Sequence, residues 1–173
     1  MLLSPAMNAA LNAQIGHEFA ASLRYVAVAA YFDRDNLPVL AQHFYRQSDE
    51  ERGHAMRIVK YVVDAGGHIA IPALPAADHP ITSAEEAVQL SLASELEVTE
   101  QINHLMDLAI SENDHLTRTF LGWFVNEQLE EVSSMETLLG MIRRAGESGL
   151  LLVENYLANQ GRSPTAARAG EAE

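Results

Sequence analysis

The sequence contains no cysteine, which removes disulfide frameworks, zinc fingers, iron–sulfur clusters and thiol nucleophiles together. Cationic side chains are scarce: 11 Lys and Arg stand against 24 Asp and Glu, a formal charge of −13. A protein that grips nucleic-acid phosphates needs a basic footprint, so that class is excluded and cations become the expected partners. Long apolar runs are missing as well. The longest, Tyr25 to Phe32, is far below the ~18 residues a membrane span requires. The N-terminal MLLSPAMNAA has neither the basic region nor the apolar core of a signal peptide. The expectation is a cytoplasmic protein with no membrane and no nucleic-acid partner. With 173 residues, 48% of them hydrophobic, the chain can bury the core of one domain without staples.

Proline and glycine, few in number, fall between long segments rich in Ala, Leu, Glu and Gln, a helical composition. Ser4-Pro5 offers a cap followed by proline at the first helical position, and that segment runs to about Asp33,. A second opens at Asn36-Leu37-Pro38 and ends near Gly66-Gly67. Thr82 and Ser83, each with a Glu three residues on, start a third that runs to about Glu112,. Asn113-Asp114 caps a fourth ending around Gly146, and Leu150 to Asn159 makes a short fifth. Short links make antiparallel hairpins of segments one–two and three–four. The stretch Gly67 to Ile81, with three prolines, is long enough to travel the length of a bundle. The predicted fold is all-α: a four-helix bundle with one long crossover between helices two and three, plus a short fifth helix. Residues 1–160 form the domain, and the small, polar residues 161–173 are expected to be a disordered tail.

Alternating steps of three and four give each helix a core stripe. Helix one reads Leu11, Ile15, Glu18, Ser22, Tyr25, Ala29, and helix two Leu40, Phe44, Gln47, Glu51, His54, Ile58, Tyr61. Helix three reads Val88, Leu92, Glu95, Thr99, Ile102, Met106, and helix four Leu121, Phe124, Gln128, Glu131, Met135, Leu138, Ile142. Every stripe is interrupted by polar residues near its middle. Glu51 and His54 follow Glu18 by 33 and 36 residues, and Gln128 and Glu131 follow Glu95 by the same intervals. The hairpins are therefore pseudo-repeats offset by 77, and antiparallel packing brings all six groups to one layer.

Carboxylates in a dry layer are costly in desolvation and repel one another, so a cation is required. Glu-x-x-His on one helix turn aims an oxygen and a nitrogen at one point, and a bridging Glu admits a second ion. Oxygen-rich ligands with one imidazole suit Fe(II), Mn(II) or Zn(II). Such constellations serve iron oxidation and storage, oxygenation of an organic substrate at a di-iron centre, or, with no metal, only the register of a scaffold.

The stretches GHEFAASLRYVAVAAYF, SDEERGHAMRIVKYV, SELEVTEQI and FLGWFVNEQLEEVSSM resemble the non-haem ferritins, particularly the bacterial ones, over the chain up to about Gln160. The resemblance implies a ferroxidase that oxidises Fe(II) with O₂ or peroxide at an intrasubunit di-iron centre and stores hydrous ferric oxide in a hollow 24-subunit homo-oligomer. It assigns Glu18 and His54 to the first iron and makes Glu51 the bridge. Glu95, Gln128 and Glu131 fall around the second iron, while Glu50, Glu127, Glu130 and Glu131 match a third iron site. Tyr25 matches the tyrosine beside the centre, a source of an electron or proton during oxidation.

Departures from related families narrow the reading. Arg52 stands where haem-binding bacterioferritins carry methionine, so no haem is expected, and rubrerythrins need cysteines. Gly53 and Met56 replace carboxylates that animal ferritins use for mineral nucleation. In that family the fifth helix lines a fourfold channel; the cluster Leu150 to Val153 fits either that role or packing on its own bundle. Asn113, Asp114, His115 and Arg118 lie where threefold channels form, and the same residues are also good caps. His43 and His104 read as surface residues, and Phe120, Trp123 and Phe124 as packing groups.

Overall fold

In a computed structural model of the protein, residues 2–160 are described; the tail expected over 161–173 lies outside them. Four long helices, α1 (Pro5–Arg34), α2 (Pro38–Asp64), α3 (Ala84–Ser111) and α4 (His115–Ala145), precede a single 3-10 turn (Glu147–Gly149) and α5 (Leu150–Gln160). The expected all-α bundle with a long connection between α2 and α3 is what forms. No helix among the described residues is long and apolar enough to cross a membrane.

Local chemistry sets the helix ends. Ser4 accepts from the Met7 amide at 2.9 Å with Pro5 at the first helical position. Ser83 accepts from the Glu86 amide at 3.1 Å, and Glu86 accepts from the amide and hydroxyl of Thr82, one residue before the Ser83 amide that a regular capping box uses. Both tight turns pivot on an asparagine in the left-handed region, Asn36 (φ 58°) and Asn113 (φ 55°), a conformation asparagine tolerates better than most residues. These two also stand 77 residues apart, so the internal repeat extends to its turns. Asn113 thus bends the chain, while Asp114 alone caps α4 by accepting from the Thr117 amide at 2.9 Å.

The helix α2 lacks a side-chain cap of its own, because Leu37 occupies the cap position. Glu154 of α5, only 8% exposed, supplies it: one oxygen accepts from the amides of Val39 (2.7 Å) and Leu40 (3.0 Å). An anion at a helix N-terminus also complements the positive end of the helix dipole. Leu150 and Val153 bury beside it against the bundle, whereas Leu151 and Leu152 stay about 70% exposed. The apolar cluster of α5 is therefore split between a face packed on its own bundle and an exposed face.

The long connection is pinned to α1. Asn12 accepts from the Ala70 amide (2.6 Å) and donates to the His68 carbonyl (2.7 Å), while Asn8 accepts from the His68 amide (2.8 Å). Pro72 lies so close to Gly16 that a Cβ there would sit 2.5 Å from the proline ring, so glycine is required by a close approach.

Two apolar clusters fill the bundle. One joins Phe32, Leu40, Phe44, Val88, Met135 and Leu138; the other joins Met7, Leu11, Ile58, Ile102, Leu121 and Phe124. Between them every long helix contributes polar residues. The stripes expected for α1 and α4 are buried throughout, and that of α2 is buried except at Tyr61, which is half-buried. On α3 the buried stripe is Ser91, Glu95, Val98, Ile102 and Leu105, one position off the expected Leu92, Thr99 and Met106. This helix packs against both α1 and α4, which turns small Ser91 inward and leaves Leu92 and Met106 half-buried on the flanks.

Candidate metal centre

The polar layer collects Glu18, Glu51, His54, Glu95, Gln128 and Glu131, each no more than 7% exposed. They meet because each lies near the middle of its helix and antiparallel neighbours cross at their middles. Glu18, Glu51 and His54 each place one ligand-capable atom within 4.8 Å of the others, and His54, Glu127 and Glu131 form a second such triad. His54 stands between them, Nδ1 at 3.3 Å from Glu51 and Nε2 at 4.0 Å from Glu127. Trp123 and Phe124 pack edge-on against its ring with centroids 5.4 and 5.8 Å away. The imidazole is held between two carboxylate groups rather than beside one.

The two halves of the layer differ in hydrogen bonding. Glu18 Oε1 accepts from Gln14 at 2.9 Å, but Glu18 Oε2 and Glu51 Oε1 are buried without any partner. Burial, then the Glu51 charge, pushes the Glu18 carboxyl well above the usual carboxylate range; burial, then Glu95, does the same to Glu51. Both shifts favour the neutral carboxyl over the charged form in this dry layer,. Glu95, by contrast, is satisfied: Tyr25 donates its hydroxyl to one oxygen, and Gln128 Nε2 donates to the other and to the Glu95 carbonyl, both at 3.2 Å. Burial, then the Glu95 charge, raises the Tyr25 phenol. The phenol thus remains a neutral donor. Glu131 is pushed up to about 8, by burial first and then by Glu95 and Glu50.

Towards the surface of α2 and α4, Glu50, Glu127, Glu130 and Glu131 line a cavity of about 290 Å³, together with Gln47, which donates to Glu50. Glu50 and Glu130 are exposed and Glu127 is half-buried. The third-site residues named from the sequence therefore share one opening, though only Glu127 and Glu131 approach within a common coordination distance. Glu95, Glu50, Glu130 and Gln128 belong to neither triad.

His104 is exposed, as expected, but His43 is not simply a surface residue. Its Nε2 is buried without a partner, and burial, then the Arg46 charge, lowers its pKa to about 4. Position 43 gave no sign of this because the burial comes from packing beside Phe44, ring centroids 5.1 Å apart. Glu154 was also invisible as a cap, since its partner amides lie more than a hundred residues away along the chain.

Hard carboxylate oxygens with one imidazole, two orphaned lone-pair sites and an acidic opening form a donor set for divalent first-row metals. All-oxygen octahedral ions would not need the imidazole, and copper(I) would seek sulfur.

Comparison with known proteins agrees. Residues 8–145 match the family model described as Ferritin-like domain. The chain is 42% identical over 171 residues to ferritin BfrB of Mycolicibacterium smegmatis, covering 96% of this chain and 94% of that one. It is 37% identical over 158 residues to a bacterial non-heme ferritin of Staphylococcus aureus, covering 90% and 95%. A solved open-pore ferritin from the archaeon Archaeoglobus fulgidus superposes with a TM-score of 0.87 at 32% identity, covering 90% and 96%. With its bundle, its buried acidic layer and two candidate metal triads consistent with a ferroxidase-type iron-storage protein, the chain belongs to the ferritin family.

Proposed function

We propose that this protein oxidises Fe(II) and stores the product as hydrous ferric oxide within a hollow homo-oligomer of 24 subunits in the cytoplasm. The observation that carries the reading is the pair of orphaned oxygens, Glu18 Oε2 and Glu51 Oε1, beside His54 in a layer where desolvated charge has no protein counterpart. Two iron ions entering there displace protons and supply the missing partners.

In this reading Glu18 and His54 hold the first Fe(II), Glu51 bridges, and Glu131, Glu95 and Gln128 surround the second. Carboxylates favour Fe(III) over Fe(II) and so favour oxidation, while one imidazole and a neutral amide leave the product free to depart. Each ion gives up one electron; the pair reduces O₂ to hydrogen peroxide with two protons, or hydrogen peroxide to two hydroxides. Tyr25, donating to Glu95, is placed to pass a proton or an electron when Glu95 changes its hydrogen bonding. Glu50, Glu127 and Glu130 carry iron between the centre and the storage space, using the third site as a step. Stopped-flow oxidation of Fe(II) in air tests the reading: a rapid phase and a soluble ferric core are expected, with a native mass near 24 subunits. A monomer without a rapid phase overturns it.

A further inference from the structure

The carboxylates of the layer differ in how many of their oxygens the protein already occupies. Glu95 has both taken, one by the Tyr25 hydroxyl and one by Gln128 Nε2. Glu18 has one taken: Gln14 Nε2 donates to Oε1 at 2.9 Å, and Oε2 is buried with no partner. Gln14 lies one turn before Glu18 on α1, where residues four apart share a face. It is 2% exposed and Glu18 is fully buried, so solvent does not supply this donor. The internal repeat shows that the bond is not a by-product of the fold. Position 91 stands to Glu95 as 14 stands to Glu18, yet Ser91 gives its hydroxyl to the Ala87 carbonyl at 2.9 Å.

The Gln14 amide is held from behind. The two ends of an amide have nearly the same shape, so the partners beyond it decide which end faces Glu18. Glu97 of α3, exposed and ion-paired with Arg24 at 3.6 Å, offers acceptors only,. Gln101 Nε2 donates to Glu97 Oε1 at 3.4 Å, which turns the Gln101 oxygen inward to accept from Gln14 Nε2, also at 3.4 Å. Both hydrogens of the Gln14 amide are thereby assigned, one to Gln101 and one to Glu18. The two outer bonds are long and individually weak. Their directions agree, and they set the donor end of Gln14 toward Glu18.

We infer that Gln14, held by Gln101, is a positioning residue that occupies one oxygen of Glu18, so that Glu18 offers the first metal ion Oε2 alone. The inference rests on the proposed ferroxidase reading, in which Glu18 and His54 hold the first iron. A carboxylate that binds through both oxygens adds a ligand and suits ions that gather six or more. One that binds through a single oxygen keeps the ligand count low. A low count leaves room on the ion for an oxidant, and it discriminates among divalent ions by the number of ligands each demands. Gln14 thus acts on selectivity through Glu18, without touching the metal.

The test measures metal binding to the assembled, metal-free protein by calorimetry and so does not depend on iron oxidation. Gln14→Met keeps the length of the side chain and removes the donor. Zn(II), which is satisfied by four ligands, should bind the first site about tenfold more weakly as Glu18 loses its orientation, within the range for partners outside the ligand shell. Mn(II), which takes six, should hold within about twofold because the freed Oε1 becomes a ligand. Co(II) at the same site should lose visible absorption intensity as its ligand number rises. Gln101→Met, at a half-buried position, keeps the donor but frees its orientation, and should shift the Zn(II)-to-Mn(II) preference the same way by about threefold. A role confined to packing lowers both affinities together and leaves the Co(II) spectrum unchanged; that result, or no change for either ion, overturns the inference. An unchanged preference in Gln101→Met overturns the role of the outer amide, and decides alone should Gln14→Met fail to assemble. If the unaltered protein binds neither Zn(II) nor Fe(II) in the layer, the ferroxidase reading itself falls and this inference with it.

Discussion

The two hairpins of this bundle repeat the same spacing with opposite chemistry. In α1–α2 the layer residues are Glu18, Glu51 and His54, and two of their oxygens are buried without partners. In α3–α4 the matching positions are Glu95, Gln128 and Glu131, where Gln128 and Tyr25 already satisfy Glu95. One half is built with its donors missing and the other largely without that deficit. The first should grip an ion, because the metal supplies what the fold withholds. The second should hold one loosely, because its amide and phenol compete for the same carboxylate. A centre that must take up substrate ions and release oxidised ones gains from such asymmetry.

The largest test removes the gripping half. Glu51→Ala with His54→Ala should eliminate the rapid oxidation phase, a fall beyond the ~10–100-fold typical of losing a partner outside the ligand shell. Retention of the fast phase in stopped-flow measurements would contradict the division. Next, Gln128→Glu replaces the amide donor with a fifth carboxylate in the layer and makes the second hairpin more like the first. Affinity for a second Mn(II) or Zn(II), read by calorimetry, should rise by roughly tenfold, or ~1.4 kcal/mol. Unchanged affinity would mean that the amide does not loosen the site. Tyr25→Phe leaves Glu95 short of a donor without touching the first triad. Oxidation should slow about tenfold while anaerobic binding of the first ion holds, less than the ~10²–10⁴-fold typical of a lost general acid or base because the phenol acts through Glu95.

A fourth test uses acidity. The Glu131 carboxyl, raised to about 8 in the fold, ionises near 4.5 once unfolded. Between those values the native state keeps a proton that the unfolded state has lost, so the native state binds more protons. Metal-free protein should therefore lose melting temperature as pH rises from 4.5 to 8, and level off above. Metal affinity should climb over the same window, since binding must expel that proton. A metal-free melting temperature that rises with pH across this window would refute the assignment. The smallest effects concern the helix starts. Asp114→Ala removes a cap from within the second hairpin, and Glu154→Ala removes one supplied to the first from α5. Each should cost about 1 kcal/mol in denaturant unfolding, with iron oxidation unaffected.

Much of this comparison is legible in the sequence, because the signals that carry it are local or periodic. The offset of 77 residues aligns Glu18 with Glu95, Glu51 with Gln128 and His54 with Glu131. The caps at Ser4 and Ser83 lie within a few residues of the amides they serve. Features depending on side-chain packing or distant partners escape. The inward turn of Ser91 in place of Leu92 follows from α3 meeting two neighbours at once, and no stripe drawn on one helix contains that. Periodicity places Glu95 in the layer but cannot tell an orphaned carboxylate from a satisfied one. The burial of His43 and the contact of Gly16 with Pro72 are likewise products of three dimensions.

The cap that Glu154 provides to α2 closes a contact across 115 residues of chain. Protein synthesis proceeds from the N-terminus, so the whole of α2, α3 and α4 is made before its partner residue exists. The start of α2 stays bare until α5 has left the ribosome and folded back. A chain truncated before Glu154 would carry every residue of the iron layer and still lack the final fastening of its first hairpin. Fastening of the first hairpin is thereby tied to the synthesis of α5.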